Sequence, residues 1–264
     1  MPLKVLDLFS GIGGFSLGLE STGYFETVAF CEKDEFCKKV LHKHWSQLKI
    51  YDDVRSLHDT KIQADVVTGG FPCQSFSQAG LQKGRTDDRW LWNEMFDVIK
   101  QVRPRWVIGE NVQGIINIEE GMVLRQVQDD LDSEGFKVQC FIIPASGIGA
   151  WHNRNRVWIL ACNISNSNGI RHRRGNSTRC ADEEWTFLPR EQEGGKMGSK
   201  TERCCINKKK TWWETESRIC GVPDGVSYGV DRDRTQRIKA LGNSIVPQIV
   251  RQIGLAIMEA ENDN

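Results

Sequence analysis

The chain has 264 residues, of which 39% are hydrophobic, so it can bury the core of one large domain with a smaller one beside it. Lysine and arginine (35) balance aspartate and glutamate (35), so the total charge does not indicate a nucleic-acid partner, and any such surface must be local. Nine cysteines without a C-x-x-C pair exclude a disulfide framework, and neither an apolar leader nor a run of membrane-spanning length occurs. We therefore expect a soluble protein of a reducing cytoplasm.

Short apolar, β-branched runs alternate with amphipathic stretches of helical spacing over residues 1–162. Strands are predicted at 4–9, 27–32, 65–70, 106–112, 138–145 and 156–161. Helices are predicted at 14–22, 34–45, 89–102 and 121–135. This alternation is typical of an α/β fold, in which a mostly parallel sheet carries helices on both faces.

The composition changes after residue 162. Residues 163–218 are rich in Asn, Ser, Gly and charge, and 12 Lys or Arg against 8 Asp or Glu give them a net charge of +4. Basic runs at 171–174 and 208–210 favour a nucleic-acid surface, although a solvated polar insertion has the same composition. Helical spacing returns over 237–260 and predicts one final helix. The expected divisions are an α/β domain, a loop-rich region and a returning C-terminal segment, at 1–162, 163–231 and 232–264.

A glycine-rich turn, with Gly11 and Gly13, follows the first predicted strand, where a helix N-terminus suits a nucleotide-like ligand. Ser16 replaces the third glycine of the dinucleotide-binding motif. Glu32 closes the second strand, where such folds bind ribose hydroxyls, and Asp53 either accepts from an adenine amino group or caps its own turn. An adenosine ligand without phosphates, such as S-adenosylmethionine, fits this pattern better than a dinucleotide.

Cys73 follows the third predicted strand, at the edge where open α/β sheets bind ligands, and Pro72 fixes φ just before it. A thiol on such a loop becomes a nucleophile where positive charge or a dipole stabilises the thiolate. Glu110 ends a strand at the same edge, and Arg154 and Arg156 alternate along the start of another and are its candidate partners. The other thiols of this domain are expected to be small buried hydrophobes: Cys31, Cys37, Cys140 and Cys162.

Five segments resemble, in order and spacing, the DNA (cytosine-5) methyltransferase family of prokaryotic or phage type: "DLFSGIGGF", "GGFPCQSFSQAG", "ENV", "RNRV" and "ALGNSIVP". The resemblance covers 3–161 and about 232–258, and leaves out the part in which that family places its variable target-recognition region. It implies a Rossmann-like S-adenosylmethionine-dependent methyltransferase sheet plus a small loop-rich target-recognition domain. The catalytic and cofactor-binding domain would then be 1–162, the target-recognition region 163–231, and the segment that returns to the catalytic domain 232–264. It also implies an enzyme that methylates carbon 5 of cytosine in a short double-stranded DNA site.

The resemblance implies four catalytic residues. Cys73 adds to carbon 6 of a flipped-out cytosine and makes carbon 5 able to attack the methyl sulfonium. Glu110 donates to ring nitrogen N3, Arg156 holds the carbonyl oxygen of the base, and Arg154 holds a nearby phosphate. No residue is assigned to remove the hydrogen from carbon 5.

The resemblance also implies the ligand contacts. Residues expected to bind S-adenosyl-L-methionine are Phe9, Gly11, Gly13, Glu32, Lys33, Asp53, Val54, Pro72, Trp92, Asn243 and Ser244. For Asn243 and Ser244, N-capping of a following helix is the alternative. Residues expected to contact DNA, from a loop that closes over the base and from the recognition region, are Gln74, Lys83, Arg85, Arg89, Arg171, Arg173, Arg174, Lys208, Lys209 and Lys210.

Some positions depart from the family pattern. His152 stands where the family's arginine motif usually begins with glutamine, and Trp90 and Trp92 stand where a glycine and a leucine are common, so the wall of the methionine pocket differs. No metal is expected, because the remaining candidate ligands lack zinc-type spacing: His172, Cys180, Cys204, Cys205 and Cys220.

Three alternatives remain beside a DNA methyltransferase. The first is a tRNA-methylating branch of the family, which carries a Cys-Phe-Thr tripeptide that this sequence lacks. The second is a catalytically dead relative, which would lose Cys73 or Glu110, and the third is a dinucleotide oxidoreductase, which would need the third glycine. We expect a monomeric cytoplasmic enzyme of a prokaryotic cell or phage-infected host, with double-stranded DNA as partner and no membrane contact. The sequence leaves open whether a cognate restriction endonuclease acts on the same site.

Overall fold

The computed structural model describes residues 1–57, 60–72, 90–150, 152–163 and 234–262. Strands within these ranges form one seven-stranded sheet: β1 (Leu3–Leu8), β2 (Phe25–Cys31), β3 (Lys49–Tyr51), β4 (Val66–Gly69), β5 (Trp106–Val112), β6 (Phe136–Pro144) and β7 (Asn155–Asn163). Their order is β3-β2-β1-β4-β5-β7-β6. Neighbouring strands are parallel, except that β7 runs antiparallel to both β5 and β6.

Helices cover both faces of this sheet. Those described are α1 (Gly14–Glu20), α2 (Glu35–His44), α3 (Trp92–Val102), α4 (Met122–Ser133), α5 (Arg234–Asn243) and α6 (Pro247–Asn262). One core joins Leu6 and Leu8 to α3 and α4, while the other joins Val5 to α1 and α6, because alternate residues of a strand point to opposite faces. The predicted α/β fold with helices on both faces is confirmed.

Two local features differ from the sequence prediction. β3 was not predicted, since three residues at a sheet edge show no hydrophobic period of their own. The single helix predicted over 237–260 is wrong, because the chain forms α5 and α6 with a break at 244–246. Pro247 disfavours helical backbone at Val246 and is itself favoured in the first turn of a helix, so it ends one helix and begins the next.

Two glycines let α1 approach the C-terminal segment closely. A Cβ on Gly18 would lie 2.5 Å from the carbonyl oxygen of Pro247, and a Cβ on Gly14 would lie 2.7 Å from that of Ile245. Backbone atoms cannot rotate away, so a larger side chain at either position would push the two segments apart. The contact therefore fixes where the segment between α5 and α6 lies on the sheet.

A buried carboxyl group ties β1 to two neighbouring elements. The side chain of Asp7 is fully buried, and it accepts hydrogen bonds from Ser16 Oγ of α1 at 2.8 Å and from Thr68 Oγ1 of β4 at 2.9 Å. Burial raises the pKa of Asp7 from 3.8 to about 7, although both hydrogen bonds oppose the shift. The folded protein therefore holds this proton at pH values where the unfolded chain has lost it.

Asp7→Asn is expected to change how stability depends on pH. Because the pKa of Asp7 is raised on folding, the free energy of unfolding should fall as pH rises from about 4 to about 7 in the parent protein. Between pH 5 and pH 8 the parent should lose about 3 kcal/mol relative to Asp7→Asn, at 1.36 kcal/mol for each pH unit up to the raised pKa. Urea unfolding at both pH values measures this, and parallel pH profiles of the two proteins would contradict the shift.

Candidate active site

The carboxyl ends of β1, β2, β4 and β5 border one cavity of about 850 Å³. Strand order reverses at β1, since the chain places β2 and β3 on one side of it and β4 and the later strands on the other. A crevice opens at such a switch point, and open α/β sheets bind their ligands there. Phe9 follows β1 at this cavity, Glu32 follows β2, Phe71 follows β4, and Glu110 lies within β5.

Most of the residues predicted to bind the cofactor meet at this cavity. Those that line it are Phe9, Gly11, Glu32, Lys33, Asp53, Val54, Pro72 and Asn243. Gly13, Trp92 and Ser244 are not among the lining residues. The sequence prediction therefore locates the cavity, whereas the roles of its individual residues remain predictions.

Glu32 holds the glycine-rich turn and the next loop in place. Its Oε2 accepts the N–H of Gly11 at 2.6 Å, and its Oε1 accepts the N–H of Asp34 at 2.7 Å. Phe9 and Gly11 both adopt left-handed backbone conformations, with φ of 52° and 54°, which bend the chain toward this carboxylate. Each carboxylate oxygen can accept more than one hydrogen bond, so Glu32 is also able to accept a ligand hydroxyl.

Asp53 caps its own turn, which is one of the two roles that the sequence left open, and it also lines the cavity. Its Oδ1 accepts the N–H of Arg55 at 3.0 Å and so caps the short 3-10 helix Val54–Leu57. Its Oδ2 lies 3.9 Å from the cationic groups of Lys33 and Arg55. All three residues line the cavity, so capping the turn does not remove Asp53 from the ligand side.

Gly13 and Trp92 lie behind the cavity wall. A Cβ on Gly13 would lie 2.6 Å from the ring of Trp45, so this glycine makes room for the tryptophan. Trp92 is 1% exposed, and its indole N–H donates to Asp130 Oδ2 at 2.7 Å. Leu91 lines the cavity next to it. Trp92 was predicted to line the pocket because it stands where the family commonly has a leucine in the methionine pocket. That position alone does not show whether the side chain faces the cavity.

Asn243 and Ser244 stand at the end of α5. Asn243 lines the cavity, whereas the hydroxyl of Ser244 donates to the carbonyl oxygen of Leu241 at 2.9 Å. Ser244 therefore satisfies a carbonyl group at the C-terminal end of α5. The N-capping role considered for this pair does not match that contact, because the hydroxyl of Ser244 bonds to the preceding helix.

Glu110 and Arg156 form an ion pair at the other end of the cavity. Arg156 Nε lies 2.9 Å from Glu110 Oε1, and Arg154 also lines the cavity. The antiparallel register sets Arg156 of β7 opposite Val112, one step along the same face from Glu110. Burial raises the pKa of Glu110, and the positive charges of Arg156 and then Arg154 oppose that shift. The result is a carboxyl group that keeps its proton closer to neutral pH than an ordinary glutamate.

Asn111 fixes the end of β4, a role that sequence reasoning did not assign. Its Nδ2 donates to the carbonyl oxygen of Phe71 at 3.0 Å, and its Oδ1 accepts the N–H of Val112 at 2.9 Å. The side chain is buried, so its polar groups need these partners. The contact holds the chain just before Pro72, which lines the cavity.

Cys73 and the ten residues predicted to contact DNA from the closing loop and the recognition region lie outside the described residues. Cys31 and Cys37 also line the cavity, and burial raises the pKa of each thiol to about 12. Both therefore remain protonated at neutral pH and are poor nucleophiles. Their interpretation as small buried hydrophobes is confirmed, as it is for Cys162, while Cys140 is only half-buried.

The described ranges contain neither a cluster of metal ligands nor a membrane-spanning helix. No group of three or more His, Cys, Asp or Glu side chains there could hold a metal ion, and the cysteines after residue 163 fall outside those ranges. No helix there is both long and apolar enough to cross a membrane.

Comparison with known proteins decides the family. The pattern of the C-5 cytosine-specific DNA methylases matches residues 3–217, which is most of the chain. The chain belongs to the C-5 cytosine-specific DNA methylase family. The resemblance drawn from five short segments is thereby confirmed.

Methylases of bacteria and phages are similar to it over about 60% of the chain. The orphan methyltransferase M.Rho11sI of Bacillus phage rho11s is 34% identical over 164 residues, or 60% of this chain and 32% of that protein. The Type II methyltransferase M2.BsuMI of Bacillus subtilis is 35% identical over 164 residues, or 60% of this chain and 42% of that protein. The Type II methyltransferase M.Bsp6I of a Bacillus species is 33% identical over 162 residues, or 60% of this chain and 51% of that protein. The chain thus spans about a third to a half of these relatives.

Solved structures of other methylases share the fold. A prophage-encoded protein of Escherichia coli, described as a DNA modification methyltransferase, aligns with a TM-score of 0.53 and 24% identity over 62% of this chain and 47% of its own. A mutant of DNMT2 from Spodoptera frugiperda aligns with a TM-score of 0.51 and 21% identity over 72% and 54%. These alignments confirm the Rossmann-like methyltransferase sheet.

Arg156→Met is expected to raise the pKa of Glu110 further, because the largest influence opposing burial is lost. It should also lower the free energy of unfolding at pH 8 by about 3 kcal/mol, since an ionised Glu110 is left without its partner, and by less at pH 5. Carbon-13 NMR titration of glutamate carboxyl groups and urea unfolding measure the two effects. Lys100→Met, which breaks a pair with Asp97 on α3, is the control. An unchanged pKa of Glu110 in Arg156→Met would contradict the assigned pairing.

Proposed function

We propose that this chain transfers a methyl group from S-adenosyl-L-methionine to carbon 5 of cytosine in a specific short site of double-stranded DNA. The observation that carries the proposal is one cavity with two chemically different ends in a member of the C-5 cytosine-specific DNA methylase family. Glu32 and Asp53 follow β2 and β3 on one side of β1 in the sheet, whereas Glu110 of β5 and Arg156 of β7 lie on the other side, and Arg154 and Asn243 also line the cavity.

The first end fits an adenosine ligand with a positive charge. Glu32 and Asp53 offer carboxylate oxygens to ribose hydroxyls and an adenine amino group, and the glycine-rich turn lets the backbone come close. The turn lacks the third glycine of the dinucleotide motif, which favours a ligand without a pyrophosphate. When bound, S-adenosyl-L-methionine supplies a methyl group on a positively charged sulfur.

The second end fits a cytosine ring taken out of the duplex. A protonated Glu110 donates a hydrogen bond to ring nitrogen N3, which favours addition to carbon 6. In this proposal Arg156, which pairs with Glu110, donates to the carbonyl oxygen of the base, while Arg154 adds positive charge near a phosphate. Burial of this end excludes water, so that each of these hydrogen bonds is stronger than it would be in solvent.

Cys73 supplies the nucleophile in this proposal. It directly follows Pro72, whose position Asn111 sets through the carbonyl oxygen of Phe71. Its thiolate adds to carbon 6, carbon 5 takes the methyl group, and loss of the carbon-5 proton then expels the thiolate. The two described thiols at the cavity have pKa values too high for this role.

DNA recognition completes the proposal. Residues 163–231 read the target sequence, and the basic residues predicted there and in the loop after Cys73 contact the duplex. We propose a monomeric cytoplasmic enzyme. Two of the similar proteins are Type II methyltransferases, which supports a search for an endonuclease that cuts the same site.

Purified chain is expected to transfer labelled methyl groups from S-adenosylmethionine to mixed-sequence duplex DNA. Cys73→Ala should abolish the transfer, and Glu110→Gln should lower kcat by about 100- to 10,000-fold, the range for loss of a general acid. Bisulfite sequencing of DNA from cells that express the chain identifies the methylated base and its sequence context. Lys100→Met is the control variant, and tRNA is assayed as the competing substrate. Transfer to tRNA alone, or equal transfer by Cys73→Ala, would contradict the proposal.

A further inference from the structure

α5 forms one wall of the cavity and is lightly packed. It contributes Gln236, Lys239, Ala240 and Asn243 to the lining. Over residues 235–243, where the burial of α5 is described, Ala240 is the only buried residue. A helix with few buried contacts opens at a small cost in free energy. The position of this wall therefore depends on a small number of contacts.

An ion pair ties α5 to the opposite wall. Lys239 Nζ lies 3.3 Å from Asp34 Oδ2, and the two residues are 205 positions apart in the chain. Asp34 is the N-cap of α2, where its Oδ1 accepts the N–H groups of Phe36 at 2.9 Å and Cys37 at 3.2 Å. Because these two hydrogen bonds already fix the Asp34 carboxylate, formation of the ion pair mainly costs the side-chain conformational entropy of Lys239.

The same ion pair is linked to the ligand end of the cavity. The N–H of Asp34 donates to Glu32 Oε1 at 2.7 Å, and Glu32 Oε2 accepts the N–H of Gly11 at 2.6 Å. A continuous set of polar contacts thus runs from the glycine-rich turn through Glu32 and Asp34 to Lys239. All four residues line the cavity.

Other charges at this rim pair among themselves. Lys38 lies 2.6 Å from Asp52 and 2.5 Å from Glu35, and Lys33 lies 3.9 Å from Asp53. Lys239 instead bridges from α5 to the loop that carries Glu32. Losing its charge would therefore free the wall while leaving the other rim pairs in place.

We propose that Lys239 is a positioning residue for the cofactor, and that its ion pair with Asp34 holds α5 against the adenosine end of the cavity. This inference rests on the proposed function, because it takes S-adenosylmethionine to be the ligand. Lys239 acts through the position of Asn243 and the other lining residues of α5, while Asp34 carries the link to Glu32. Cofactor affinity thereby depends on a helix that follows residues 164–233 in the chain.

Isothermal titration of the full chain with S-adenosylmethionine and with S-adenosylhomocysteine at low ionic strength tests this role. Lys239→Met and Asp34→Asn, in which asparagine still caps α2, should each weaken binding by about two- to fivefold, the range for an exposed ion pair. The double variant should bind no more weakly than either single variant, and Lys239→Arg should keep the parent affinity. In methyl-transfer assays the KM for S-adenosylmethionine should rise while kcat stays unchanged.

The controls separate the two proposals. Lys100→Met and Asp97→Asn, which break an ion pair on α3 outside the cavity, should leave both affinities unchanged. Weaker binding by Lys239→Met with parent affinity in Asp34→Asn would show direct contact with the ligand and overturn the positioning role. Equal affinity of all variants would overturn it as well. If the parent chain binds neither ligand, the proposed function itself fails, and the inference fails with it.

Discussion

The ion pair between Glu110 and Arg156 is the contact on which the cavity depends. A carboxylate within an apolar sheet is costly unless a cation and hydrogen bonds compensate it. That cation comes from β7, which runs against the direction of its neighbours in the described sheet and therefore begins at the edge where β5 ends. In a parallel β7, Arg156 would start at the opposite edge. The reversed strand thus brings both arginines to the carboxyl ends of the parallel strands.

The other walls of the cavity are built at the same edge of the sheet. Turns after β1 and β2 meet at Glu32, which holds the glycine-rich turn through Gly11 and the next loop through Asp34. Asn111, next to Glu110 on β5, holds the end of β4 through Phe71. One end of the cavity is thus organised by carboxylates that accept hydrogen bonds, and the other by a carboxyl group between arginines. The proposed adenosine and cytosine sites rest on this division.

Local pattern predicts the parts of this site that depend on local chemistry. Alternating apolar runs place Glu32 and Glu110 at strand ends, and their predicted positions at the cavity agree with the structure. Contacts between distant segments could not be predicted, since no spacing rule joins Lys239 to Asp34 or Gly13 to Trp45. The direction of Trp92 was equally hidden, because burial against Asp130 depends on packing between α3 and α4. Pro247 is itself a sequence signal for the break between α5 and α6, but the regular apolar spacing over 237–260 favoured one continuous helix.

The central claim is that Cys73 reacts with carbon 6 of cytosine beside this buried carboxyl group. The most direct measurement uses randomised duplex DNA in which 5-fluorocytosine replaces cytosine, because the fluorine cannot leave as the carbon-5 proton does. Incubation with S-adenosylmethionine, denaturation, proteolysis and mass spectrometry then identify the attached residue. The account predicts a covalent complex in which the peptide containing Cys73 carries a methylated fluorocytosine. Attachment through another residue, or no covalent complex while the chain still methylates ordinary DNA, would contradict it.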